Sequence, residues 1–186
     1  MHSPNIFEIL SVKIEQANKH IEELERATSV FHDATPPPYE IYFEDSPKKL
    51  ERTYRIRVHK KIPLEISALI GDVLHNLRSA LDHLAWHLVT SRSIEPKATP
   101  SHIYFPIFET AQKYHANKMR KIQGMTKEAI QIIDAIEPYY KSDDGQIGQG
   151  TPLWCLHTLN IQDKHKLLIL QLYLLNYFCS VMWFSG

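Results

Sequence analysis

Hydrophobic positions recur at helical spacing over the first thirty residues of the chain. Between residues 5 and 33, apolar side chains return every three or four positions, with lysine and glutamate between them; they are Ile6, Ile9, Leu10, Ile14, Ala17, Ile21, Leu24 and Ala27. This period is typical of an amphipathic α-helix. Three consecutive prolines at positions 36–38 then end any helix. The pattern predicts a long first helix followed by a stiff linker.

The pattern changes to strict alternation after the prolines. Residues 39–44 and 53–59 alternate apolar and polar side chains around a turn signal at residues 45–47, which predicts a β-hairpin within residues 39–61. The most basic patch of the chain lies at its second strand and consists of Arg55, Arg57, His59, Lys60 and Lys61. Charges on an exposed strand commonly prevent aggregation. The functional alternative is an RNA-backbone contact through Arg55, Arg57, Lys60 and Lys61.

The rest of the chain is predicted to be mainly helical. A second long helix runs from Leu64, just after Pro63, to Ser91. Further helices are expected over residues 109–121, 126–135 and 152–168, with a short strand over residues 103–107 and a polar loop over residues 142–150. We therefore expect one domain over residues 1–186: a bundle of about four or five helices, with the hairpin between the first two long helices.

Composition adds few constraints on function. The chain has 186 residues, with 21 basic and 21 acidic side chains and a formal charge of zero, so no global field attracts nucleic acid or an anionic membrane. Its two cysteines form neither a disulfide framework nor a metal-ligand spacing. The N-terminus lacks the order of a secretory signal. These features predict a cytoplasmic protein.

The C-terminal segment, residues 167–186, is nearly all apolar. Its length reaches the lower limit for a membrane span, but Gln171, Asn176 and Ser180 interrupt it. A buried helix or pair of strands is favoured, and no membrane partner is expected. The ending without polar residues is typical of a truncated or altered product.

The second long helix has two unlike faces. One carries an apolar stripe that should face the core: Ile66, Ile70, Val73, Leu77, Leu81, Leu84 and Leu88. The other carries His75, Asn76, Arg78, Ser79, Asp82, His83, Trp86 and His87. A solvent face would be rich in glutamate and lysine, yet neither occurs between Glu65 and Glu95. The second face is therefore predicted to bind a ligand or to pack against another polar surface.

An arginine and a histidine separated by four residues stand on this face, at Arg78 and His83. This R-x4-H spacing on a long helix resembles the HEPN superfamily (higher eukaryotes and prokaryotes nucleotide-binding). The wider segment, residues 71–86, also resembles a group of bacterial and phage proteins in which, as here, a Phe-Pro-Ile segment (residues 105–107) and an Asp-Lys-His segment (residues 163–165) follow. The second resemblance covers most of the chain and implies no activity.

The HEPN resemblance implies a metal-independent ribonuclease whose active site forms across a homodimer. His83 would be the acid–base group and Arg78 would stabilise the phosphate, as RNA cleavage through the 2′-hydroxyl requires. Ser79 follows the arginine, where Asn, Asp or His is commoner. The supporting candidates are Asn76, Ser79, Asp82, His87, Asp163 and His165. No cofactor is implied.

Two other interpretations of these residues stay open. Arg78 and Asp82 have the spacing of a structural ion pair, with His83 bonded to a neighbouring helix. His83 and His87 have a spacing that could hold a metal, but no further ligand motif accompanies them. Our leading hypothesis is an RNA-binding or RNA-cleaving protein of a phage-defence or toxin system. The alternative is a non-catalytic helical interaction module whose polar face is structural.

Overall fold

Two long helices, α1 (Ile6–His32) and α2 (Leu64–Thr90), pack along each other and form the framework of the protein. The computed structural model describes residues 5–46, 51–91, 102–143, 145–147 and 150–165, without the side chains of residues 46, 51 and 165. The apolar segment at residues 167–186 lies outside this range. The described part is mainly helical, with six helices and a hairpin between the first two, which confirms the predicted fold class.

Helix α1 begins where a capping box satisfies its first backbone amides. The Asn5 side chain accepts from the amide of Phe7, while the amide of Asn5 donates to the Glu8 carboxylate at 3.0 Å. Ala17 is fully buried, but Ile14 and Ile21 are partly exposed, by 47% and 36%. The helical period therefore predicted the element correctly, although part of its apolar stripe lies on the surface.

The predicted hairpin is present as β1 (Tyr39–Ser46) and β2 (Glu51–Val58). The strands are antiparallel, with Tyr39 opposite Val58 and Asp45 opposite Arg52. One face of the hairpin is apolar and exposed, and it consists of Ile41, Phe43, Tyr54, Ile56 and Val58. The alternation thus gives two faces, neither of which is covered by the described part of the chain.

The buried side of α2 differs from the predicted stripe. Of that stripe only Ile66 is fully buried, while Leu81, Leu84 and Leu88 pack half-buried against the core. Most of the buried residues of α2 each follow a residue of the predicted stripe by one position. They include Ser67, Gly71, Leu74, Arg78, Ala85 and Val89. The reason is that α2 contacts both α1 and α6 (Thr151–His165), so more than one of its faces is covered.

The remaining elements pack around the end of α2. They are β3 (Phe108–Thr110), α3 (Ala111–Asn117), α4 (Met119–Ile122), α5 (Lys127–Ile136) and β4 (Tyr139–Lys141), with β3 parallel to β4. The predicted helix over residues 109–121 is thus divided in two. Thr110 and Thr126 cap α3 and α5 by accepting from the amides of Lys113 and Ala129.

The strand predicted at residues 103–107 is wrong. Apart from exposed Tyr104 these residues are buried, but they form no sheet pairing, and the short strand begins at Phe108. Pro106 has no amide to donate, and the amide of Phe105 bonds to a side chain of α2 instead of to a neighbouring strand. The segment contributes Ile103, Phe105 and Ile107 to a core shared with the end of α2.

The main chain packs so closely at the start of α6 that position 150 has no room for a side chain. A Cβ atom there would overlap the Glu137 carbonyl oxygen and would lie 2.7 Å from the Tyr139 nitrogen. These are main-chain atoms, which cannot move aside as the end of a flexible side chain can. We therefore expect Gly150→Ala to lower the free energy of unfolding, measured by urea denaturation, by about 1–3 kcal/mol.

Gly71→Ala is the matched control for this prediction. Its Cβ would approach the Asp163 carboxylate oxygens, at 2.7 and 2.8 Å. That side chain can turn aside, and alanine is favoured over glycine in a helix by about 1 kcal/mol. We therefore expect a smaller loss from Gly71→Ala, and equal stability of Gly150→Ala and wild type would contradict the packing described here.

Candidate functional site

A pocket of about 280 Å³ opens between α2 and α6, on the polar face of α2. It is lined by His75, Arg78, Ser79, Asp82, His83 and Trp86 from α2, and by Asn160 and Lys164 from α6. Both residues of the R-x4-H motif therefore reach the same cavity. This volume lies just below the range of about 300–1,000 Å³ that is typical of ligand sites.

Arg78 and Asp82 form a closed hydrogen-bonded ring with the backbone of Phe105. The Nη2 atom of Arg78 donates to Oδ1 of Asp82 at 2.7 Å and to the Phe105 carbonyl oxygen at 3.0 Å. The Phe105 amide donates to the same Oδ1 atom at 2.9 Å. The Arg78 side chain is only 7% exposed. The arginine of the motif therefore has a structural role, because it holds residues 103–107 against α2.

One nitrogen of Arg78 is left without a partner. Nη1 is buried and makes no hydrogen bond to any described residue. Burial lowers the pKa of Arg78, an effect that the Asp82 carboxylate opposes, and an arginine side chain stays charged in either case. An unsatisfied buried donor costs about 1–3 kcal/mol, more when it is charged. A ligand that supplied an acceptor to Nη1 would offset this cost.

Arg78 interacts electrostatically with two further titratable side chains, Lys121 and His157. Lys121 of α4 is half-buried, with its ammonium group 4.7 Å from the centre of the Phe108 ring. Burial, and then Arg78, lower the pKa of Lys121, while Asp82 raises it. His157 of α6 lies in the same field. Burial and the charges of Arg78, Lys121 and Lys164 lower its pKa to about 4, so the imidazole is neutral at pH 7.

The remaining predicted residues of α2 divide between the pocket and other surfaces. His83 is exposed and lines the pocket, together with half-buried Ser79. Asn76 bonds away from it: its Oδ1 accepts from Lys13 of α1 at 3.4 Å, and its Nδ2 donates to the Asp72 carbonyl oxygen at 2.9 Å. His87 is half-buried and does not line the pocket.

The Asp-Lys-His segment reaches the pocket through its middle residue. The Asp163 carboxylate lies against Gly71, seven positions before Arg78 on α2, and does not line the pocket. The side chain of His165 lies outside the described range. Lys164, which the sequence did not single out, and Asn160, one turn earlier, line the cavity instead. Their i, i+4 spacing places them on one helix face, but such a pair is too common to mark a site.

The basic residues of the hairpin are largely matched by carboxylates within the hairpin. Arg55 donates to Glu44 at 2.8 Å and Arg57 to Glu40 at 3.2 Å. Lys61 is exposed and Lys60 is half-buried. None of these RNA-backbone candidates lines the pocket between α2 and α6. The structure therefore brings Arg78, Ser79, Asp82 and His83 together and leaves the hairpin candidates apart from them.

Three negative findings bear on the nature of the site. Within the described ranges, no three His, Cys, Asp or Glu residues cluster closely enough to hold a metal, so His83 and His87 gain no third ligand there. No helix in the same ranges has the length and apolar character needed to span a membrane. No protein-family model matches the chain, and neither a curated protein nor a solved structure shows significant similarity to it. Function must be inferred from the pocket itself.

The ring around Arg78 predicts that Asp82 is needed for stability. Asp82→Ala removes the acceptor of both Arg78 and the Phe105 amide, so we expect the free energy of unfolding to fall by about 1–3 kcal/mol. Asp82→Asn retains an acceptor and should lose less. The control is Asp72→Ala on the exposed part of α2, with an expected change below about 0.5 kcal/mol. Equal urea midpoints for Asp82→Ala and Asp72→Ala would refute the structural role.

The neutral state of His157 predicts acid sensitivity. Its pKa of about 4 in the folded protein lies below the value of about 6.5 in an unfolded chain, so the unfolded state takes up a proton first as pH falls. The resulting stability is complete above pH ~6.5 and is lost between about 6.5 and 4. Because the side chain is only half-buried, we expect this loss to be on the order of 1 kcal/mol.

A substitution isolates this contribution. His157→Leu should flatten the slope of unfolding free energy against pH in that window, whereas His102→Leu, at an exposed position, should leave it unchanged. The measurement is urea denaturation at several pH values, with slopes compared instead of absolute stabilities. The same slope in wild type and His157→Leu would show that His157 is not the group responsible.

Proposed function

We propose that this protein is a HEPN-like RNA-binding protein that cleaves RNA without a metal, within a phage-defence or toxin system. The observation that carries the proposal is the convergence of exposed His83, buried Arg78 and Lys164 on one pocket. A histidine open to solvent beside two cations suits chemistry on a phosphodiester. The R-x4-H resemblance supports the same assignment independently of the geometry.

The proposed reaction uses the 2′-hydroxyl of RNA as the nucleophile. His83 takes the proton of that hydroxyl, the 2′-oxygen bonds to phosphorus, and the bond to the 5′-oxygen breaks, leaving a 2′,3′-cyclic phosphate. The leaving oxygen receives a proton from His83 or from water. Lys164 and Arg78 stabilise the negative charge that develops on the phosphoryl oxygens. Asp82 positions the guanidinium through the 2.7 Å bond between them.

A homodimer forms part of this proposal. The pocket of about 280 Å³ accommodates little more than one nucleotide, whereas a bound strand extends further on both sides. A second protomer facing the polar side of α2 would lengthen the groove and bring a second His83 to it. This arrangement agrees with the dimeric active site that the resemblance implies.

A second candidate function is a non-catalytic interaction module. It is favoured by the ring in which Arg78 bonds to Asp82 and to the Phe105 carbonyl, since both bonds serve the fold. The exposed apolar face of the hairpin, with Phe43 54% and Tyr54 65% exposed, also resembles a surface for a protein partner. On this interpretation His83 has no chemical task.

Cleavage of a mixed RNA pool in EDTA distinguishes the two candidates. We expect the wild type to cleave RNA and His83→Ala to lose about 100-fold or more in rate, because a positioned acid–base group contributes about 10²–10⁴-fold. His102→Ala, at another exposed histidine, is the control and should retain activity. Arg78→Ala should lose both cleavage and stability, since it also opens the buried ring.

Two outcomes would refute the nuclease proposal. One is the absence of cleavage by wild type under conditions in which thermal unfolding shows an intact fold. The other is unchanged cleavage by folded His83→Ala. Either result would leave the interaction module as the better interpretation of the pocket.

A further inference from the structure

A buried side-chain amide lines the pocket without a hydrogen-bond partner. Asn160 of α6 is 5% exposed, and no described residue forms a hydrogen bond with its side chain. Buried side-chain amides are normally hydrogen-bonded, so an exception needs an explanation. Unlike Nη1 of Arg78, the amide atoms of Asn160 are not fully enclosed. A molecule in the pocket can therefore reach both the donor and the acceptor of this side chain.

Asn160 lies toward one end of the pocket and Trp86 at the other. Helix α6 runs antiparallel to α2, because its first turn packs against the core at the end of α2 while Asp163 lies against Gly71. Asn160 is within one turn of Asp163, so it lies at the end nearer to His75. Along α2 the pocket extends from His75 to Trp86, which corresponds to about 16 Å at the rise of an α-helix. The R-x4-H motif lies between these ends.

Trp86 gives the pocket a place for a second base. It is 39% exposed and lies eight residues after Arg78 on α2. Unpaired bases stack on aromatic side chains whatever their sequence. Because the pocket holds little more than one nucleotide, one base enters it toward Asn160 and the next lies at the rim, at Trp86. The phosphodiester between the two bases is then beside Arg78 and His83.

We infer that the pocket reads one unpaired adenine of the RNA through the amide of Asn160, next to the phosphodiester that Arg78 and Lys164 stabilise. The inference rests on the proposed function for its RNA ligand, but it uses a side chain to which that function gives no task. The amide oxygen of an asparagine accepts from N6 of adenine while its nitrogen donates to N7. On the same edge guanine offers two acceptors, cytosine only a donor and uracil only an acceptor.

Adenine is thus the base that fits this side chain in most orientations. It also presents a donor beside an acceptor on its Watson–Crick edge, whereas the other three bases do so on that edge alone. Unpaired RNA bases are read on both edges. The two sides of the phosphodiester therefore differ: the base at Asn160 is selected by hydrogen bonds, and the base at Trp86 is held by stacking without selection.

Binding of strands that differ in one base tests this inference apart from cleavage. Short uridine strands in which one central residue is A, C, G or U would carry 2′-O-methyl groups, which remove the nucleophile. Affinity is measured by fluorescence anisotropy at fixed ionic strength. We expect the adenine strand to bind at least about 5-fold tighter than the other three, as for one bidentate contact between an amide and a base.

Three variants assign the preference to Asn160. Asn160→Leu should bind the four strands alike, whereas Gln162→Leu, at a half-buried amide of α6 that does not line the pocket, should keep the preference for adenine. Trp86→Ala should weaken binding of all strands by a similar factor and keep the preference.

Thermal unfolding shows whether the Asn160 amide serves the fold instead. Since it has no partner in the described part of the chain, Asn160→Leu should unfold at the wild-type temperature or above. Thermal midpoints well below wild type in both Asn160→Leu and Asn160→Ala would show that the amide supports the fold, and would overturn the inference.

Cleavage of the unmodified strands separates the inference from the proposed function. We expect the wild type to cut beside the adenine, always on the same side, and Asn160→Leu to cut without this preference. Adenine-selective binding that Asn160→Leu loses, without cleavage by wild type, would support the inference and refute the nuclease. Cleavage with any other order of the four bases, or with a preference for adenine that Asn160→Leu retains, would overturn the inference and leave the nuclease standing.

Discussion

The partly buried bond between Arg78 and Asp82 is the interaction on which the rest of the structure depends. It fixes the guanidinium, which reaches across to the Phe105 carbonyl, and it presents the carboxylate oxygen that receives the Phe105 amide. These contacts hold residues 103–107 against α2, and that segment supplies much of the core. Burying such a charge is costly unless its partners are well placed. Core and pocket are therefore built from the same two side chains.

Local patterns predicted the long helices and the hairpin because their hydrophobic periods are determined by neighbouring residues. The caps at Thr110 and Thr126 follow from the same short-range chemistry. The pairing of β3 with β4 could not be predicted, since it joins three-residue strands about thirty positions apart. The strand expected at residues 103–107 failed for a similar reason: the partner of the Phe105 amide is a side chain of α2.

The candidate site was predictable only on the helix that carries its motif. The polar face of α2 identified Arg78, Asp82, His83 and Trp86 from one element. Lys164 and Lys121 come from elements whose position depends on tertiary packing, and no spacing in the sequence relates them to Arg78. The apolar stripe of α2 was misleading because contact with α6 favours small residues such as Gly71, so the most closely packed side of α2 is not its most hydrophobic side.

The hairpin shows that the arrangement of opposite charges, and not only their number, determines the electrostatic potential around a protein. Its ion pairs, Arg52 with Asp45, Arg55 with Glu44 and Arg57 with Glu40, act at a distance as short dipoles. The potential of a dipole decays faster with distance than that of a single charge, and salt shortens both ranges. An anion approaching this electrically neutral chain would therefore be attracted more by exposed Lys164 at the pocket than by the ion-paired hairpin, although three of the six arginines that the structure describes lie on the hairpin.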